Sequence, residues 1–339
     1  MTLALEHLRA AASGVCRMEE RGDGLHFYRF TAEEEALYKA RTPDYHRLTF
    51  STAGVKLSFT TDSRTLSLAV EAVPSPSTEK FFSFDVRANG KAVGSLDNFS
   101  GMVIPDKYCE LACALGEFRH VFDLGEGEKT VTVDFPFSVI AVLKELTLDD
   151  GASFRPCARK PILLAYGDSI THGYDALRPS HRYTALLAGM LGLEEVNKGI
   201  GGETFFPPLA RCEQPFTPRI ITVAYGTNDW SHKSLDEFTA DSKAFYETLA
   251  ARYPKTPVFA VTPVWRADID EPKRMGPFSV SAETLRNVTA PLANVSVVDG
   301  LTLIDHDPAF FGDQWVHPNA AGFDQYASRL AAAIGEASR

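Results

Sequence analysis

Cysteine is scarce in this chain, and basic charge is outweighed. Five cysteines among 339 residues make an odd number without framework spacing, which fits a reducing compartment. Cys109 and Cys113 lie four apart and can meet on a helix, but no second Cys or His pair stands nearby to complete a zinc site. A structural role is expected for these thiols, and no metal or cofactor. Lys and Arg number 34 against 44 Asp and Glu, a net charge of −10. That balance disfavours nucleic acid and anionic membrane, which both reward basic patches. Neutral polysaccharide and small esters stay open as partners. No run of about 18 uninterrupted apolar residues exists, so no membrane span is expected. Glu6, His7 and Arg9 interrupt any leader-like apolar stretch, and a cytoplasmic location is the expectation. Neither G-x-G-x-x-G nor G-x-x-x-x-G-K-[ST] is present, which disfavours a phosphate-binding loop.

Apolar residues make up 45% of the chain, enough for sizeable cores, and its length favours two domains. Its character changes near residue 155. Before that point, short β-rich runs alternate with turn signals. Val55 to Phe59, Leu66 to Val70, Phe82 to Val86 and Val131 to Phe135 read as strands. Asn89-Gly90 signals a hairpin and Gly125-Glu126-Gly127 a turn. This spacing predicts an antiparallel β-sandwich over residues 1–155, with one helix behind the capping box Thr31-Ala32-Glu33-Glu34. Residues 149–156 read as a linker.

Over 156–339 the pattern is strand, loop, helix. Ile162 to Ala165, Ile220 to Ala224, Val258 to Val261 and Val295 to Val298 are apolar on both faces, as buried parallel strands are, and Glu195-Val196-Asn197 is a further short strand. Helical stripes lie between them: Leu186, Leu187, Met190 and Leu191; Phe238, Phe245 and Leu249 behind a capping box at Ser234 to Glu237; and Phe323, Tyr326, Leu330 and Ile334 behind an Asn319 cap. The expected fold is a doubly wound α/β domain.

Four polar blocks recur in order through this half: Gly167-Asp168-Ser169-Ile170, Asn197-Lys198-Gly199-Ile200-Gly201-Gly202-Glu203-Thr204, Gly226-Thr227-Asn228-Asp229 and His317-Pro318-Asn319. The first three fall at or just after expected strand ends, where open parallel sheets bind ligands. Each supplies a piece of acyl-transfer chemistry. Ser169 follows its strand through a tight turn, near a helix start whose free N–H groups favour an oxyanion. A serine hydroxyl needs a base to act as nucleophile, and His317 is the candidate. Gly202 lets backbone approach an oxyanion closely. The Asn228 amide can donate to the same charge. Singly, Ser after Asp most often caps a helix, and Asn or Gly most often forms a turn. Together and in order, the blocks favour chemistry. His172 sits close behind Ser169, with substrate contact and structural contact equally open.

These blocks resemble those of the GDSL/SGNH hydrolases over roughly residues 160–337. The resemblance implies a flavodoxin-like, five-stranded parallel sheet. It also implies Ser169 as nucleophile, an oxyanion hole of the Ser169 and Gly202 N–H groups with the Asn228 side chain, and His317 as base. Residues 1–155 resemble the jelly-roll-like front domain of two-domain members, among them carbohydrate acetyl esterases and a salicylyl acyltransferase. The family places its acid three residues before the histidine. Here that residue is Gln314, and the carboxylate is Asp313, four before. Asp313 is the favoured partner for His317; Gln314 and a backbone carbonyl are the others, with Asp305 and Asp307 weaker. The expected activity is that of a carboxylic ester hydrolase taking small acyl groups, chiefly acetyl, from a carbohydrate or other polar substrate. Phe205, Tyr225, Trp230 and Trp265 are candidates to pack on that substrate. Alternatives are an acyltransferase, a lipase or thioesterase with the same site, and a non-catalytic glycan-binding protein on a decayed hydrolase fold.

Overall fold

The computed structural model describes residues 1–111 and 113–337. Its first half holds two antiparallel sheets, one of six strands and one of five. The alternation read from the sequence places Leu57 and Phe59 of strand Lys56–Thr61 and Val131 and Val133 of strand Lys129–Asp134 in a shared apolar core with Leu66, Leu68 and Val70 of the other sheet. Strands Ser83–Ala88 and Lys91–Asp97 form the hairpin around Asn89-Gly90, where both residues take positive φ, 51° and 78°. The helix Ala32–Arg41 begins at the expected capping box, with Thr31 Oγ1 accepting from Glu34 N and Glu34 Oε2 accepting from Thr31 N.

The segment expected as a linker is strapped down instead. Asp149 accepts from the backbone N–H groups of Arg64 and Thr65, and Arg155–Pro156 pairs with strand Lys56–Thr61. Polar loop composition signals a turn but not the backbone donors that the turn will meet.

The second half is a five-stranded parallel sheet. Its order runs Glu194–Gly199, Ile162–Gly167, Pro218–Ala224, Val258–Val261, Val295–Val298. In chain order of these five strands this is 2-1-3-4-5, the flavodoxin-like arrangement, whose switch point lies between the first and third strands. Helix Leu235–Arg252 buries Phe238, Phe245 and Leu249, and Ala320–Ala337 buries Phe323, Tyr326, Leu330 and Ile334. In helix Tyr183–Met190 the expected stripe is partly wrong: Leu187 is buried, but Met190 is 49% exposed at the helix end.

The two halves share cores. Phe81, Phe99 and Phe137 from the front domain pack with Ile170, Tyr183 and Phe311. Phe30 and Tyr38 pack with Tyr166 and Phe205. Charge crosses the seam too. The buried Arg29 guanidinium donates to the carbonyls of Asn197 and Gly199 at 2.9 and 2.7 Å, and Lys198 Nζ meets Glu34 Oε2 at 2.5 Å. The front domain therefore grips the strand and turn that carry the second polar block.

Candidate active site

The polar blocks converge at the carboxyl edge of the parallel sheet, around its switch point. Ser169 is the first residue of the short helix Ser169–His172, which follows strand Ile162–Gly167 directly. Its N–H therefore has no intrahelical acceptor. Asp168 caps the turn by accepting from Ile170 N at 3.0 Å. Burial pushes the Asp168 carboxyl up to about 7. Gly202 follows the neighbouring strand, is exposed, and takes φ +79°, a conformation that L side chains rarely adopt. Tyr45 Oη donates to its carbonyl at 2.9 Å, anchoring the turn from the front domain. Asn228 lies in helix Thr227–His232, after strand Pro218–Ala224. One amide N–H donates to Glu203 O at 2.9 Å, which ties the third block to the second and leaves the other N–H for a ligand.

His317 lies in the loop before helix Ala320–Ala337. Its Nε2 is 2.8 Å from Ser169 Oγ, and its Nδ1 is 2.8 Å from Asp313 Oδ2. Asp313 Oδ1 accepts from the N–H groups of Trp315, Val316 and His317 at 2.8, 2.8 and 3.1 Å. One carboxylate thus shapes the loop and orients the ring. Gln314 takes φ +57° inside that loop and lines a separate cleft with Ile104 and Tyr108. The i,i+4 spacing of Asp313 and His317 suits the loop because three successive N–H groups wrap around Oδ1.

Electrostatics follow from these contacts. Burial alone would lower the His317 pKa. The bond to Asp313, its charge, and the further carboxylates Asp175 and Asp168 raise it above 6.5 instead. Burial pushes Asp313 up, but its bonds to His317 and to backbone N–H groups hold it below the usual carboxylate value.

A cleft of about 380 Å³ opens beside these groups, lined by Ser169, Asn228, Arg266, Asp268, Trp315 and His317 among others. Residues 165–325 match the family model of the GDSL-like lipases and acylhydrolases. This segment is similar to the GDSL-like lipases and acylhydrolases. No curated protein sequence matches the chain significantly. Solved structures show the fold of both halves together. A salicylyl-acyltransferase from a tetracycline biosynthetic pathway is 24% identical and superposes with a TM-score of 0.78, covering 96% of this chain and 94% of its own. A family two carbohydrate esterase from Cellvibrio japonicus is 16% identical, with a TM-score of 0.67 over 99% of this chain and 97% of its own. One from Clostridium thermocellum, solved with cellohexaose, is 15% identical, with a TM-score of 0.63 over 84% and 93%.

The aromatic candidates do not line this cleft. Phe205 and Tyr225 are 1% exposed and pack on each other and on Phe245 in the core. Trp230 is fully buried, with its Nε1 donating to Gly276 O at 2.8 Å. Trp265 is half-buried and stacks on His306. Phe205, Tyr225 and Trp230 lie beside the blocks in sequence, but each sits on an inward-facing position. His172 is fully buried, with its Nε2 between Ser51 Oγ and Phe137 O at 2.9 and 2.8 Å, so its contacts are with the front domain. The residues missed are Trp315, 47% exposed, and Arg266, whose guanidinium lies 5.1 Å from the ring centroids of both Trp230 and Trp315. Both carried a signal: Trp315 stands two residues before His317, and Arg266 follows the carboxyl end of strand Val258–Val261.

Proposed function

We propose that this chain is a serine esterase that removes small acyl groups, acetyl foremost, from a carbohydrate or similarly polar alcohol. The observation that carries the reading is the unbroken line Ser169 Oγ, His317 Nε2, His317 Nδ1, Asp313 Oδ2, with 2.8 Å at each hydrogen bond. His317 takes the Ser169 proton as Oγ attacks the ester carbonyl. Negative charge then develops on the carbonyl oxygen. The Ser169 N–H, the Gly202 N–H and the free Asn228 N–H are its donors. As this intermediate collapses, the ester C–O bond breaks and the leaving alcohol takes the proton from His317, so the acyl group stays on Ser169. Water, deprotonated by the same ring, then releases the acid. Asp313 holds the ring tautomer and stabilises the imidazolium formed in each half.

The lining supports a small polar substrate. Arg266, Asp268, Lys273 and Asn228 surround the cleft, and Trp315 supplies one exposed aromatic face. Among the described residues no helix is long and apolar enough to cross a membrane. A second reading is transfer of the acyl group to an alcohol acceptor in place of water. It is favoured by likeness to the salicylyl-acyltransferase along 96% of this chain. The two readings share every step up to the acyl-enzyme. The test is labelling by a serine-directed phosphonate followed by a panel of acetylated oligosaccharides and aryl esters, with and without an added alcohol. Release of acetate with the label on Ser169 supports the esterase. Acyl-alcohol product in excess of free acid supports the transferase. Absence of labelling rejects both.

A further inference from the structure

A second pair of carboxyl groups lies behind the His317 ring, and the steps above do not use it. Asp175 is 2% exposed and Glu79, from the front domain, is 1% exposed. Asp175 takes φ +64°, and its N–H donates to Glu79 Oε1 at 2.6 Å. The loop carrying the acid closes tightly over it: a Cβ at Gly312 would stand 2.7 Å from Asp175 Cβ. Side-chain ligand atoms of Asp175, Asp313 and His317 all lie within 4.8 Å of one another. Asp175 Oδ2 and Glu79 Oε2 are both buried without a hydrogen-bond partner among the described residues. Two facing buried carboxylates cannot both stay ionised, and a proton held between them satisfies an oxygen on each.

We propose that Glu79 and Asp175 share one proton, held on Glu79, and that the remaining charge on Asp175 makes it a positioning residue for the His317–Asp313 couple. The inference rests on the reading of His317 as general base. The other groups facing the pair are Tyr108, Cys109, Tyr174, Asp313 and the His317 ring; those facing His317 are Asp313, Asp168 and Asp175, and His317 is the one cation among these groups. Directions agree with the assignment. Burial and the Asp175 charge drive Glu79 well above the carboxylate range. Burial takes Asp175 to about 6, against the pull of the His317 cation. The front domain therefore supplies the acid that keeps Asp175 anionic.

The test is the titration of the His317 ring, followed by NMR in protein with labelled histidine and read beside the acid limb of kcat/KM for p-nitrophenyl acetate. Asp175→Asn keeps the shape and tolerates positive φ. It should lower the His317 pKa by about one unit. Glu79→Gln keeps a neutral donor against Asp175 and should leave the ring titration within a few tenths of a unit. Glu79→Ala removes that donor, leaves Asp175 to take up a proton, and should reproduce the Asp175→Asn shift. An unmoved titration in Asp175→Asn overturns the proposal. So does a shift in Glu79→Gln as large as in Asp175→Asn, because the charge would then reside on Glu79. Loss of kcat in these variants with the ring titration unmoved marks plain structural damage and also overturns it. The ring titrates whether or not the protein cleaves esters, so failure of the esterase reading shows separately, as the absence of Ser169-dependent hydrolysis.

Discussion

At the seam between the domains, Lys198 and Glu34 are fully buried and 2.5 Å apart, and Glu34 is tied further to Thr31 N and Gln214 Nε2. At the cleft, His317 and Asp313 are 2.8 Å apart but keep side-chain exposures of 23% and 14%, and the far nitrogen of the ring meets a serine hydroxyl. Both regions bury ionisable groups against carboxylates. In the seam every charge has several fixed partners, so the groups serve geometry. In the cleft the ring has one carboxylate partner and one hydroxyl partner, and in the proposed reaction its proton moves between the hydroxyl and the ring. The seam builds the platform on which the cleft works: Lys198 is pinned four residues before Gly202, and Tyr45 holds the Gly202 carbonyl.

Removing the reacting partner should give the largest effect. Ser169→Ala is expected to reduce hydrolysis of p-nitrophenyl acetate by about 10⁴-fold or more, since members of such a relay act as a unit. The side chain lost is small, and the urea midpoint should stay near wild type. Activity near wild type would place the nucleophile elsewhere.

Next comes the fixed partner of the ring. Asp313→Asn should lower kcat by about 10²- to 10⁴-fold, because an amide cannot stabilise the imidazolium. Gln314→Ala should cost little, since that side chain faces another cleft. The reverse ranking in steady-state kinetics would return the supporting role to position 314.

The seam should respond in stability rather than in rate. Lys198→Met leaves Glu34 buried without its cation, a change that costs about 3–5 kcal/mol in comparable sites. Urea unfolding measures it. The loss in kcat per folded molecule should stay under about tenfold. A large kcat loss with unchanged stability would show that the seam acts on chemistry directly.

The sequence made the cleft more legible than the seam, for a physical reason. Block order and strand ends announce where Ser169, Gly202, Asn228 and His317 stand, because an open parallel sheet gathers its loops at one edge. The capping box at Thr31 was readable, but not that its Glu34 carboxylate also receives Lys198 from 164 residues away. Local hydrogen bonds are written in short spacing; long-range ion pairs are not. The aromatics failed for a related reason. A strand apolar on both faces gives no sign of which residue at its end turns outward, so Tyr225 looked as available as Trp315.

Asn228→Ala comes lower in the ranking, at about 10²- to 10³-fold in kcat with KM little changed, the usual cost of one oxyanion donor. Because its amide also ties down Glu203 O, Asn228→Asp is a useful second variant. It keeps the size, loses the donor and adds repulsion toward the oxyanion. If KM rises and kcat holds in both variants, Asn228 binds substrate rather than the transition state.

The smallest effect separates the two regions by pH. His317 has its pKa raised in the folded state. A raised histidine contributes stability that is fully present below its unfolded value, near 6.5, and is lost as pH rises through the folded value. The base must be neutral to act, so kcat/KM should climb over the same window, above pH 6.5, in which this contribution declines. Glu195 at the seam behaves oppositely. Burial would raise it, but Arg182 at 2.8 Å and Lys56 at 3.3 Å bring it down from 4.5 to about 2. Its contribution is present above 4.5 and lost as pH falls toward 2. Urea unfolding from pH 3 to 9 should therefore show a seam-controlled decline at the acid end and a slighter, cleft-controlled decline above pH 6.5. Asp313→Asn should abolish the upper decline and move the kcat/KM limb to lower pH, leaving the acid decline due to Glu195 in place. If that variant flattened the acid decline and spared the upper one, the assignment of these two windows to cleft and seam would be reversed.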